Sequence, residues 1–213
     1  MWGIWFRRSA AKVVAEARRN AGNFVTKVAG EVAPCWRVIA PLAAAGAVWG
    51  VWVSGPSASG AALALLGAVG GALGVIDART HRLPNVITYP ATAGVALLLA
   101  AAAALTGDDY ARLLRASVGA VTLGSAYLLL HLANRSGLGL GDVKLAVLLG
   151  LAAGWSGWGT VWWAGALPFL LGGLAALALI VVRRASRNTA LAFGPWMLAG
   201  FVLALTCARL LGA

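Results

Sequence analysis

The chain has 213 residues, of which 61% are hydrophobic and 11% charged; an average soluble domain carries about 25% charged residues, so this composition excludes that class and reads as an integral membrane protein. Seventeen Lys and Arg against six Asp and Glu give a formal charge of +11, but these charges fall between apolar runs, which favours membrane orientation over nucleic-acid binding. Cys35 and Cys207 are too few and too far apart for a four-thiolate zinc site or a disulfide framework. His81 and His131 form no H-x-x-x-H or H-E-x-x-H pattern, which counts against a zinc protease.

Residues 1–35 combine Arg7, Arg8, Lys12, Arg18, Arg19 and Lys27 with apolar residues at helical spacing, among them Trp2, Trp5, Phe6, Val13, Val14, Phe24, Val25 and Val28. The pattern predicts a basic amphipathic helix lying on an anionic membrane face; a solvated basic tail fits the same composition. It lacks the form of a cleavable signal peptide, because the first long apolar run begins after Trp36.

A bilayer core about 30 Å thick asks for roughly 20 apolar residues per helical span. Runs that meet or approach this length cover 36–53, 58–76, 85–106, 115–133, 143–156, 159–182 and 190–211. The fifth is short, and its end is crowded with Trp155, Trp158, Trp162 and Trp163, a residue type that gathers where apolar core meets headgroups. The expected fold is therefore an all-α polytopic membrane bundle of six to seven transmembrane helices over 36–213, preceded by the amphipathic basic segment 1–35. With the N-terminus in the cytoplasm, fourteen of the seventeen cations lie on the cytoplasmic side and only Arg112, Arg115 and Arg209 on the other. The positive-inside rule then sets that orientation, in the cytoplasmic membrane, facing an anionic leaflet.

The six acids are Glu16, Glu31, Asp77, Asp108, Asp109 and Asp142. The glutamates lie among cations of the N-terminal segment, and Asp108 and Asp109 occupy the polar turn "TGDDY". Asp77 ends the second run and Asp142 opens the fifth. Two crossings separate them, and two crossings return a chain to the face it left, so both carboxylates are expected near the cytoplasmic surface. An acid at the edge of a hydrocarbon slab is costly to keep there and asks for a function.

Two aspartates at one depth suit an aspartic-protease arrangement. Like charges a few Å apart cannot both ionise readily, so one carboxylate accepts a proton from water while the other, protonated, polarises the scissile carbonyl. This chemistry needs no metal or cofactor. Gly139 and Gly141 remove side chains beside Asp142 and give a substrate backbone room to approach. Gly67, Gly70, Gly71 and Gly74 put small-xxx-small spacing on the second span, ahead of Asp77. Pro84 and Asn85 mark the start of the third span. Lys144 is either a contact for substrate or a positive anchor at the membrane surface, and direct pairing with Asp142 two residues away would need an unwound helix start.

"DARTHRLPN" (77–85) and "GLGDVKL" (139–145), with "FGPWMLAG" (193–200), resemble the prepilin peptidases, the G-x-G-D class of membrane aspartyl proteases. The resemblance covers roughly 60–200. It implies that Asp77 and Asp142 are the catalytic pair, supported by Gly139, Gly141, Lys144, Pro84 and Asn85. It also implies that the enzyme cuts the short basic leader from type IV pilin-like precursors on the cytoplasmic side. Many bacterial members carry a further domain with two Cys-x-x-Cys pairs, associated with N-methylation; the isolated Cys35 and Cys207 do not match it, so a peptidase-only form is expected.

Two other readings compete. Presenilin-like proteases share G-x-G-D, but their first aspartate follows Tyr and a Pro-Ala-Leu motif comes late, whereas Ile76 precedes Asp77 and residues 193–198 read "FGPWML". A proton- or ion-coupled transporter would also hold intramembrane carboxylates, but with acids at several depths.

Overall fold

In the computed structural model, residues 22, 35–107, 109–135, 137–182 and 192–211 are described. Two units divide the chain, Met1–Trp36 and Arg37–Ala213, and within the first only Gly22, Cys35 and Trp36 are described. The predicted amphipathic helix over 1–35 therefore falls outside the described residues, as do Asp108, Arg183, Arg184 and Arg187.

Seven helices, and no strand, follow one another among the described residues: α1 Trp36–Ser54, α2 Ala58–Thr80, α3 Asn85–Thr106, α4 Tyr110–Ala133, α5 Leu140–Ser156, α6 Trp158–Val181 and α7 Gly194–Leu211. Six are long and apolar enough to cross a membrane; α5 falls outside that group. Their outward faces carry large apolar side chains such as Leu97, Leu105, Val121, Trp162 and Leu174. Exposed apolar surface on this scale is what a lipid-facing bundle presents, and the helix satisfies its own backbone polar groups there.

Each apolar run became a helix, and the differences lie at the ends. α2 continues past the apolar run to Thr80, which places Asp77 within the last turns of the helix instead of at its close. α4 starts at Tyr110, earlier than hydropathy suggests, because a helix satisfies its backbone whatever side chains it carries. The ends are punctuated by local chemistry. Ser57 caps α2, its Oγ accepting the Gly60 N–H at 3.1 Å. Gly107 closes α3 with φ +76°, a left-handed conformation that glycine adopts without Cβ strain.

The short fifth run forms the centre of the bundle. At a rise of 1.5 Å per residue, the 17 residues of α5 span about 26 Å. That is less than the hydrocarbon thickness, but eleven of its residues are buried, from Asp142 through Leu145, Leu149 and Ala153 to Trp155, so most of its length faces protein. Its last carbonyls are closed by a side chain from α4. Arg115 donates through Nε to the Gly154 oxygen at 2.7 Å and through Nη2 to the Trp155 oxygen at 2.9 Å. α4 and α5 pack as an antiparallel hairpin, the most extensive helix contact in the bundle. They approach so closely that a Cβ on Gly150 would meet the Gly119 carbonyl at 2.5 Å.

The small-residue spacing on α2 serves two neighbours. Gly67 and Gly71 face α1 at Gly46 and at Leu42–Ala43, while Gly70 and Gly74 leave room for the Leu198 side chain of α7. α2 is thereby drawn against α7, and the consequence appears one turn further on, at Asp77.

Candidate active site

Five helix ends meet at one end of the bundle: the ends of α2 and α4 and the starts of α3, α5 and α7. Asp77 sits on the last turns of α2 and is buried. Its Oδ2 accepts a hydrogen bond from the backbone N–H of Gly194, the first residue of α7, at 2.9 Å. The local sequence explains why that N–H is available. The first N–H groups of a helix have no intrahelical partner; Pro195 has none to offer, and the amides of Trp196 and Met197 already bond the Phe193 carbonyl. Gly194 must also be glycine, because a Cβ there would stand 2.7 Å from Asp77 Oδ2 and 3.1 Å from its Cγ.

Asp142 lies in the first turn of α5, also buried. Its Oδ2 accepts the N–H of Gly139 at 3.0 Å, and its own N–H bonds the Gly139 carbonyl at 3.1 Å. This is the carboxylate half of a capping box, supplied by the third residue of the helix. Each aspartate thus has one oxygen held by a backbone N–H at a helix N-terminus, where the macrodipole favours negative charge. Oδ1 of each accepts no hydrogen bond among the described residues. Both carboxylates lie at the same end of the bundle, one on α2 and one on α5.

The segments that follow and precede the aspartates pack on each other. After Thr80 the chain turns at His81, whose φ of 50° is the one positive value among described non-glycine residues. The His81 N–H closes α2 on the Asp77 carbonyl at 2.8 Å. The turn delivers Leu83 against Gly141, where an added Cβ would meet Leu83 Cβ at 3.1 Å. The room left by Gly141 is therefore occupied by this chain's own Leu83. Pro84 is the cap residue of α3, its carbonyl accepting the N–H of Thr88 at 3.1 Å and the Thr88 hydroxyl at 3.1 Å. Asn85 opens α3 and accepts Lys144 Nζ at 2.7 Å, and the same ammonium lies 5.2 Å from the centre of the Tyr89 ring. Lys144, two residues from Asp142, thus bonds the start of α3 from a helix that is wound from Leu140 onward.

Several residues at this end were not singled out by sequence reasoning. Gly194 and Phe193 belong to the quoted "FGPWMLAG" segment, where Gly-Pro signals a helix start but not what that start holds. Tyr127, from α4, is buried; its hydroxyl donates to the Gly165 carbonyl at 3.3 Å, and the Asp142 charge reaches it. Its ring packs with Phe169 and Phe193 at centroid distances of 5.4 and 6.4 Å. His131 closes the other side through Nδ1, 2.6 Å from the Leu138 carbonyl. At the far end of the bundle Asp109 is a turn residue, paired with Arg112 at 3.1 Å and accepting the Thr106 hydroxyl at 3.2 Å.

These features define a multi-pass α-helical membrane protein with two buried carboxylates converging at one end. Residues 64–208 match the type IV leader peptidase family, and the chain belongs to that family. It is 38% identical over 151 residues to a prepilin leader peptidase/N-methyltransferase of Dickeya chrysanthemi, an alignment covering 63% of this chain and 48% of that protein. It is also 38% identical over 92 residues to a protein of the same description from Pseudomonas putida, covering 42% and 31% respectively. The chain therefore spans about half the length, or less, of these relatives. No solved structure matches it.

Proposed function

We propose that this protein is a membrane aspartic endopeptidase that removes the short basic leader from type IV prepilin-like precursors, with Asp77 and Asp142 as its catalytic pair. The observation that carries the reading is the convergence of these two acids. They come from separate parts of the sequence, are buried at the same end of the bundle, and among the described residues each has one oxygen tethered to a backbone N–H and one without a hydrogen bond. Family membership supports the same chemistry.

In this mechanism the pair shares one proton. The ionised carboxylate takes a proton from a water molecule as its oxygen attacks the scissile carbonyl carbon, and the protonated carboxyl gives a hydrogen bond, then its proton, to the carbonyl oxygen. Collapse of the tetrahedral intermediate breaks the C–N bond: one carboxyl passes its proton to the leaving amine while the other carboxylate takes back the hydroxyl proton as the carbonyl re-forms, so the pair again holds one proton. Neither step calls for a metal or cofactor.

We place the site at the cytoplasmic face of the inner membrane. Arg79, Arg82, Arg135 and Lys144 surround the helix ends that carry the aspartates, whereas Arg112, Arg115 and Arg209 belong to the opposite ends of their helices, and short cytoplasmic loops collect Lys and Arg. A prepilin presenting its basic leader from the cytoplasm, with its apolar helix in the bilayer, brings the junction between them to this depth.

One observation favours a second reading, that Asp142 is only a helix cap, because its Oδ2 holds the Gly139 N–H. Asparagine also accepts such a bond, so Asp142→Asn separates the two. Co-expression with a type IV prepilin from the same genome, followed by N-terminal sequencing of the product, should show cleavage at the leader junction by wild type and by Asp109→Asn, and none by Asp77→Asn or Asp142→Asn at normal protein levels. Full cleavage by Asp142→Asn would reduce that residue to a cap, and full cleavage by Asp77→Asn would remove the aspartic mechanism altogether.

A further inference from the structure

Gly194 can hold Asp77 only if the start of α7 is itself held in place, and the hydrogen bonds among the described residues do not explain how it is. Pro195 forfeits an amide. What grips this end is a set of rings. Phe193, the residue immediately before Gly194, packs its ring 5.1 Å from Phe169 of α6 and 6.4 Å from Tyr127 of α4, and Tyr127 and Phe169 stand 5.4 Å apart. These are the separations of tilted aromatic contacts, in which ring faces and edges attract.

The seat behind Phe193 is shaped by Gly172 of α6, where an added Cβ would lie 3.5 Å from Phe193 Cε2 and 3.5 Å from Trp196 Cγ. Tyr127 is anchored in turn by its hydroxyl on the Gly165 carbonyl. Two helices, α4 and α6, thus grip one ring whose Cα is a single peptide bond from the N–H that binds Asp77. Tyr127 also lies within reach of the Asp142 charge, so the same ring set touches the surroundings of both acids.

We infer that Phe193 is a positioning residue for the cleavage reaction, its ring locked by Tyr127 and Phe169 so that the Gly194 N–H aims Asp77 at its partner. This rests on the proposed roles of Asp77 and Asp142. Replacing the ring with a flexible apolar side chain leaves the first turn of α7 free to shift by a fraction of an ångström, and misplacement of catalytic groups on that scale costs rate before it costs binding.

The test is steady-state cleavage of a purified prepilin from the same genome by the full chain in detergent–lipid micelles, with Asp77→Asn included throughout. Phe193→Leu is expected to lower kcat about tenfold with KM within about twofold, and Phe193→Tyr, which keeps the ring, to recover most of kcat. Should Phe193→Leu fail to fold, Phe169→Leu decides: its side chain is 42% exposed, so the change empties no core, and a fall of about threefold in kcat alone is expected. Wild-type kcat in the folded Leu variant while Asp77→Asn is inactive overturns the positioning role and leaves the catalytic reading standing. Equal loss in Phe193→Leu and Phe193→Tyr also overturns it, since the ring would then not be what matters. Cleavage by Asp77→Asn, or no cleavage by wild type, defeats the proposed function and this inference with it.

Discussion

The backbone N–H of Gly194 donates to Oδ2 of Asp77 across 2.9 Å of space and 117 residues of sequence. No side chain separates the two. The bond links the last turns of α2 to the first residue of α7, and Gly70 and Gly74 admit Leu198 between the same helices one and two turns away.

Gly194→Ala is therefore a sharp probe. Its Cβ would sit 2.7 Å from the Asp77 oxygen it now faces, and either the carboxylate or the helix must move. Cleavage should fall by about a hundredfold or more, while Gly173→Ala, where an added Cβ meets nothing within 4 Å, should cleave prepilin like wild type. Initial rates on equal amounts of purified protein make the comparison.

Gly141→Ala should be rescued from outside its own helix. The new methyl would press on Leu83 Cβ at 3.1 Å, so the single variant should lose activity. The double variant Gly141→Ala/Leu83→Gly should regain a substantial part of it, because Leu83→Gly removes the Cβ at 3.1 Å together with the Cγ and Cδ1 at 3.4 Å. A double variant worse than either single would mean that Leu83 does not set the position of Asp142.

Lys144 and Asn85 should act as a pair. The 2.7 Å bond joins the second turn of α5 to the start of α3, and a single partly exposed bond to a charged group contributes about 1.5–3 kcal/mol at most. Lys144→Met and Asn85→Ala should each lower kcat/KM about threefold to tenfold, and the double variant should lose little more than the worse single. Simple multiplication of the two losses would show that the residues work independently.

Arg115→Met should affect stability instead of chemistry. It strips the Gly154 and Trp155 carbonyls of their donors at the end of α5 remote from the aspartates. The expected cost is about 1–3 kcal/mol, read as a lower melting temperature in detergent, with kcat for prepilin cleavage by the folded enzyme unchanged.

Much of this architecture was legible in the residues. Seven apolar runs predicted seven helices because hydropathy is a strong signal where the solvent is a bilayer. Counting crossings was enough to bring Asp77 and Asp142 to one end and send Asp109 to the other. The glycines of α2 announced close packing, though not that Gly67 and Gly71 serve one neighbour while Gly70 and Gly74 serve another. α5 was the least legible helix, since its 17 residues fall short of a full span; burial on most sides and the Arg115 cap explain why that length suffices. Lys144 could be read as a contact for substrate or an anchor, and its partner Asn85 lies 59 positions away, beyond the reach of any local pattern.

Fold class, membrane character and the two acids at one end follow from composition and periodicity, because burial in lipid acts on each segment separately and leaves its mark in local sequence. The Gly194 amide on Asp77, Leu83 in the space beside Gly141 and the ring set around Phe193 come from helices far apart in the chain. Contacts of that kind depend on how the helices pack, and packing is a property of pairs of segments, which no single stretch of sequence encodes.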